Sequence, residues 1–300
     1  MLELITEPFA FTFMRNALAA GLLTVVASSL IGTWVVMRGM AFMGDALAHG
    51  VLPGIALAFI FGGNLLVGGA ISAAVMIGGV TLASSRSRLG EDTSIGLLFV
   101  GMLAAGVAII SKGGAYAGDL TTILFGDPIG VTRSDLRVLL VATVITIVAS
   151  IALYRPFLAL SFSRAKAQVL GMHPGLAHLA MLALIATVVI SSFRTVGTLL
   201  VFAFIVAPPA TAALVSKRVP IMMGVSMIIG ALGVFVGLLV SFHFATATAA
   251  TIAGLTVLTF FLVLLGRETV DRVAAWRRNH QDPSGRADEA SPDTQPRSFT

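Results

Sequence analysis

The sequence predicts an all-α, polytopic transmembrane bundle of about eight to nine spans, and three observations carry that prediction. Of 300 residues, 57% are hydrophobic and only 11% charged, with a mean hydropathy of +0.99; soluble domains sit near 45–50% apolar and about 25% charged. The apolar residues fall in runs of roughly 18 to 25, the length that crosses about 30 Å of hydrocarbon. The 31 glycines suit membrane helices, where small residues let backbones approach closely. Because the runs are continuously apolar rather than alternating, a β-barrel is not expected.

In chain order the predicted spans lie near 16–37, 44–62, 64–83, 94–111, 136–154, 177–193, 196–215, 220–242 and 247–266. The stretch before the first, Met1 to Pro8, lacks the basic residues of a cleavable signal peptide, so no processing is expected. The joints near 63 and 195 are short, and each reads either as a broken helix or as a turn between two spans. Two loops are longer than a turn, 113–134 and 155–175. The middle of the second has a short helical pattern ended by Gly171, a residue suited to the left-handed conformation beyond a helix end. It reads equally as an amphipathic docking knob on the membrane face and as a plain connecting helix. The chain thus divides into a transmembrane domain, 1–266, and a tail, 267–300. The tail is expected to start as a juxtamembrane helix and then lose order, because it has too little apolar surface to bury.

Orientation follows the lysine and arginine bias. With the chain start outside, one side collects Arg38, Arg86, Arg88, Arg155, Arg164, Lys166, Lys217, Arg218 and the tail arginines. The other holds Arg15, Lys112, Arg133, Arg137 and Arg194. The first side is therefore read as cytoplasmic, with the C-terminus there. Scattered over loops in this way, the +5 net charge suits membrane topology and not nucleic acid. The absence of cysteine removes disulfides and thiolate metal ligands.

An ionisable side chain inside the hydrocarbon costs several kcal/mol, which makes it a functional candidate. Among the acids, only Asp45 falls within an apolar run, and His49 follows four residues later. Positions i and i+4 share one helix face about 5–6 Å apart, so a carboxylate and an imidazole can converge on one cation. Zinc takes both ligand types, as do manganese and ferrous iron, with zinc slightly favoured by ligand preference. Two ligands do not close a site; two-fold pairing with a second copy would supply four. Pro53 and Gly54, one turn on, would kink or break this helix beside the site. A simpler reading makes Asp45 an N-cap residue and His49 a hydrogen-bond donor to a carbonyl. His243 lies at the outer end of a span, either guarding the mouth or packing at the interface; His173 and His178 flank the cytoplasmic loop as solvated or interfacial side chains. The lysines, Lys112, Lys166 and Lys217, are followed by Gly, Ala and Arg, so the chain has no phosphate-binding Walker loop. It is not read as an enzyme, and no permanently bound cofactor is expected. If ATP drives it, a separate chain hydrolyses it. The alternative is an ion-coupled secondary transporter in which Asp45 binds the proton.

Five blocks of sequence carry a resemblance to a known family: Met37 to Phe59 around Asp45 and His49; Glu91-Asp92-Thr93-Ser94-Ile95-Gly96; Leu124-Phe125-Gly126; Leu170-Gly171; and Val196-Gly197-Thr198-Leu199-Leu200-Val201 leading to Val206-Ala207-Pro208-Pro209-Ala210-Thr211-Ala212. Over residues 9 to 266 the chain resembles the membrane permease subunits of bacterial ABC importers for zinc, manganese or related metals. That resemblance implies metal-site roles for Asp45 and His49, with Zn2+ or Mn2+ as transported substrate. It implies docking of an ABC ATPase subunit onto the segment of Ser163, Arg164, Ala167 and Gly171. An extracytoplasmic metal-binding protein, a second permease copy and a place in the bacterial cytoplasmic membrane, among its lipids, are implied as well. Two departures stand out. Ser163 and Arg164 occupy positions where the family has acids, and Ala245-Thr246-Ala247-Thr248-Ala249-Ala250 replaces an Asp-x-Pro-x-Gly-Ala pattern, which removes an acid from the outer end.

Overall fold

A computed structural model describes residues 7–86, 91–112, 126–127, 130–162, 168 and 171–281. Ser163, Arg164 and Ala167, and the tail from 282 onward, lie outside the described residues. The described residues form helices and no strand. Among the described residues, a 3-10 turn, Pro8–Ala10, precedes ten α-helices: α1 (Thr12–Met37), α2 (Ala41–Gly50), α3 (Leu52–Ile60), α4 (Leu65–Arg86), α5 (Glu91–Lys112), α6 (Arg133–Ala152), α7 (Tyr154–Phe162), α8 (Pro174–Val215), α9 (Val219–Phe244) and α10 (Thr248–Gln281). Among the described residues, eight helical stretches are long and apolar enough to cross a membrane, with α2 and α3 together forming one.

The short joints are now readable. At the end of α1, the Met40 N–H bonds the Val35 carbonyl at 3.0 Å and Gly39 bonds Val36 at 3.1 Å. The same pair of bonds closes α3, from Gly63 to Ala58 and from Gly62 to Phe59; both are helix stops of the Schellman type. Asn64 then opens α4 by accepting from the Leu66 N–H at 2.9 Å. The joint near 63 is thus a turn between separate helices.

The joint near 195 is different, because α8 runs through it for 42 residues. An unbroken helix of that length would measure about 63 Å, twice the thickness of the hydrocarbon. Inside it, Gly197 has φ 79 and ψ 160, a region essentially reserved for glycine. Contacts with α1 show what the break does. Arg38 meets His178 at 2.9 Å and Thr24 meets Ser192 at 3.5 Å, so the first half of α8 runs antiparallel to α1. Beyond Gly197 the direction reverses, since Gly32, between Thr24 and Arg38 on α1, lies against Ile205 and Pro209. This long helix is a hairpin that crosses twice, which matches the two predicted spans 177–193 and 196–215.

The chain separates into two compact units, Met1–Phe260 and Phe261–Thr300, with α10 starting in the first. In the first, α1 and α8 form the centre and pack on each other, and both also contact α2, α6, α7 and α9. Close packing is achieved by small residues: a β-carbon on Gly21 would meet Val234, and one on Gly230 would meet Val25. Trp34, fully buried on α1, receives the edges of Tyr154 and Phe157, ring centroids 5.4 and 5.7 Å away, which seats the short α7. Outward faces are apolar: Leu97, Val100, Val141, Val148 and Ile151 are all exposed. A surface like that is stable against lipid and costly in water. In the second unit, the described part of α10 carries the exposed pair Arg272 and Glu268, 3.4 Å apart one turn along the helix.

Candidate metal site

Because the turn Arg38 to Met40 ends α1 and begins α2 at Ala41, Asp45 stands in the second turn of its helix. It makes no capping bond, and the N-cap position belongs to Met40. The N-cap reading of Asp45 is therefore set aside. Met43, Ala46, Leu47 and Gly50 form the buried face of α2, and Gly44 brings that helix against Ile205 and Phe202 of α8. The opposite stripe carries Phe42, Asp45 and His49, at i, i+3 and i+7.

On that stripe His49 Nε2 stands 3.6 Å from Asp45 Oδ1, with the two side chains 22% and 27% exposed. The separation is too long for a hydrogen bond, yet both groups open on the same partly accessible space. His49 Nδ1 is buried without a hydrogen-bond partner. The accessible nitrogen is thus Nε2, the one turned to the carboxylate. Phe99 of α5 fixes the ring from the side, edge-on at 5.7 Å, and also contacts Phe42 at 5.5 Å. Sequence reading missed Phe99, since nothing in its own apolar run distinguishes it.

The helix breaks at Val51, directly after α2, with Pro53 in the first turn of α3 and Gly54 beside it. Pro53 and Gly54 therefore follow the junction of the two helices, one turn beyond His49. Among the described residues no group of three or more His, Cys, Asp or Glu side chains comes together. Among the described residues, Asp45 and His49 are the two such side chains that meet here.

The other candidates are dispersed. His243 bonds the Leu239 carbonyl through Nδ1 at 2.8 Å and is exposed at the end of α9, with Phe242 beside it. His178 is half-buried against Arg38 rather than solvated, and His173 is exposed ahead of α8. Gly171 has φ +71, and its N–H bonds the Gln168 carbonyl at 3.0 Å, a helix-end geometry. At the reversal inside α8, Gly126 lies directly on the backbone of Val196 and Gly197, and the Asp127 N–H bonds the Arg194 carbonyl at 3.0 Å. Two of the five sequence blocks thus touch across 70 residues of chain, capping the reversal in α8.

Comparison with known proteins agrees with this architecture. Residues 10–267 match the ABC 3 transport family. The chain belongs to that family. Within the ABC 3 relatives, the manganese transport system membrane protein MntC of Halalkalibacterium halodurans is 32% identical over 243 residues, 81% of this chain and 83% of MntC. A probable iron transport system membrane protein of Haemophilus influenzae is 34% identical over 265 residues, 88% of this chain and 97% of its own length. Among solved structures, PsaBC from Streptococcus pneumoniae, in complex with Fab, aligns with a TM-score of 0.79 at 28% identity, covering 87% of this chain and 94% of that one. The ABC 3 membership and the all-helical permease fold are as the sequence predicted.

Proposed function

We propose that this ABC-type permease is the membrane subunit of an ATP-driven importer for a divalent transition metal, with manganese as cargo. The observation that carries the proposal is the Asp45–His49 pair: a carboxylate and an imidazole on one stripe of an apolar span, partly accessible, with His49 Nε2 turned to the carboxylate. One carboxylate and one imidazole suit manganese, iron and zinc alike. Relatives named for manganese and iron transport favour manganese over zinc.

A two-ligand set holds a cation weakly. Pairing two copies about an axis beside α2 would bring Asp45 and His49 from each to four ligands, strong enough to replace hydration and loose enough to release. In this reading a binding protein delivers the metal from outside. An ABC ATPase docks beneath the segment from Ser163 to Gly171 and supplies the hydrolysis that this chain has no Walker loop to perform. ATP binding would shift the bundle between outward- and inward-open states through that contact. Residues 1–266 act as the permease domain of a bacterial cytoplasmic membrane protein, and 267–300 lie on the cytoplasmic side. An ion-coupled carrier working through Asp45 finds no support in the family.

The test is manganese uptake by vesicles containing the complete transporter. Asp45→Ala or His49→Ala should abolish uptake while the ATPase still co-purifies with the permease. Wild-type uptake by both variants would reject the metal site, and uptake of zinc with exclusion of manganese would reject the cargo.

A further inference from the structure

The break beyond His49 is not left open. Pro53 has no N–H, so the His49 carbonyl loses the donor that a continuous helix would provide. Gly54 has one, and in a continuous helix it would bond the Gly50 carbonyl. A hydroxyl from another helix stands between them instead. Ser72 Oγ, on α4, donates to the Gly50 carbonyl at 2.8 Å and accepts from the Gly54 N–H at 3.3 Å. Serine side chains inserted in this way can re-satisfy backbone groups freed at membrane helix breaks.

The ridge that presents this hydroxyl is tightly located. Gly68, Ser72 and Met76 follow at four-residue spacing along one face of α4. A β-carbon on Gly54 would fall on the Gly68 carbonyl oxygen, and one on Gly68 would fall on that of Gly54. Met76 lies 3.1 Å from the place a β-carbon on Gly50 would take. Ser72 itself is 4% exposed. The hydroxyl is thus held between the last residue of α2 and the first turn of α3, with no room for water to replace it easily.

We infer that Ser72 is a positioning residue for metal binding: by joining Gly50 to Gly54 across the break, it fixes the end of α2 and with it the direction of the His49 imidazole toward Asp45. The inference rests on the reading of Asp45 and His49 as metal ligands. Freed of the hydroxyl, α2 would be joined to α3 only through Val51, whose N–H bonds the Leu47 carbonyl at 3.2 Å and whose carbonyl accepts from the Ile55 N–H at 3.1 Å, and through packing. His49, adjacent to Gly50, would then sample orientations in which its Nε2 and the Asp45 carboxylate no longer face one space.

The test uses the full transporter, permease with ATPase and binding protein, in proteoliposomes supplied with radioactive Mn2+. Ser72→Ala should raise the half-saturating Mn2+ concentration about tenfold, the equivalent of one lost hydrogen bond, with the maximal rate nearly unchanged. Ser72→Thr, which keeps the hydroxyl, should remain near wild type. An unchanged half-saturation in Ser72→Ala, a loss confined to the maximal rate, or equal loss in Ser72→Ala and Ser72→Thr would overturn the inference. Should Ser72→Ala fail to assemble, Ser72→Cys keeps a weak donor and should shift half-saturation partway; wild-type behaviour in that variant overturns the inference. Asp45→Ala runs alongside. If it transports normally, the metal-site reading fails and the role of Ser72 falls with it. If it is inactive while Ser72→Ala behaves as wild type, only the positioning role is lost.

Discussion

A β-carbon on Gly32 would land on the carbonyl oxygen of Ile205. That carbonyl lacks its helical donor, because the residue four positions on is Pro209. The bare glycine of α1 thus covers an oxygen that the proline of α8 has left without its usual N–H, and the two central helices are in close approach there. Cα–H contacts to carbonyl oxygens of this kind recur at helix interfaces.

Filling that gap should be costly. Gly32→Val would push α1 away from α8 and is expected to destabilise the permease by about 1–3 kcal/mol, the range for overpacking a tight core. Thermal denaturation of the detergent-solubilised protein would register it as a lower midpoint. Gly224→Ala serves as control, since a β-carbon there meets nothing within 4 Å and alanine is the better helix former. Equal midpoints for the two variants would refute the packing argument.

The reversal inside α8 depends on one backbone conformation. Gly197→Ala must place a side chain where φ is 79 and ψ 160, at a cost on the order of 1–3 kcal/mol. The backbone of Gly126 also abuts it. Lower membrane yield and a lower melting midpoint than Gly224→Ala are expected. A Gly197→Ala protein as stable as wild type would show that the turn tolerates other geometries.

Phe99 supports the His49 imidazole edge-on, with ring centroids 5.7 Å apart. Phe99→Ala should leave Asp45 and His49 in place but free the His49 ring to rotate. Groups that orient a metal ligand commonly change affinity by about 10–100-fold when removed; for this single apolar contact the lower end, roughly tenfold in half-saturating manganese, is expected. Metal-stimulated ATP hydrolysis in the assembled transporter measures it. No change would mean that the ring is held by α2 alone.

Much of this architecture was legible in the residues. Span positions could be read because a bilayer demands runs of fixed length, and the pair Asp45 and His49 stood out because charge is rare in such runs. Whether Asp45 caps its helix was not legible, since that turned on whether the helix began at Ala41 or nearer Gly44, and the stop at Gly39 and Met40 removes the capping role. Ser72 and Phe99 were invisible for another reason. Serine and phenylalanine are ordinary in membrane helices, and their importance comes from lying against α2 after 20 to 50 residues of intervening chain. The meeting of Gly126 with Val196 and Gly197 belongs to the same class: two motifs recognisable separately, whose adjacency only the folded chain supplies.

Gly197 acts as a parity bit for the molecule. Each crossing exchanges the two faces of the membrane, so one hidden reversal decides the side on which every later loop of the first unit emerges. Counted as a single rod, Pro174–Val215 would send Lys217 and Arg218 to the face opposite Arg38. Folded at the glycine, the same run brings all three cations back together, and the charge asymmetry of the chain becomes consistent from α1 through α9.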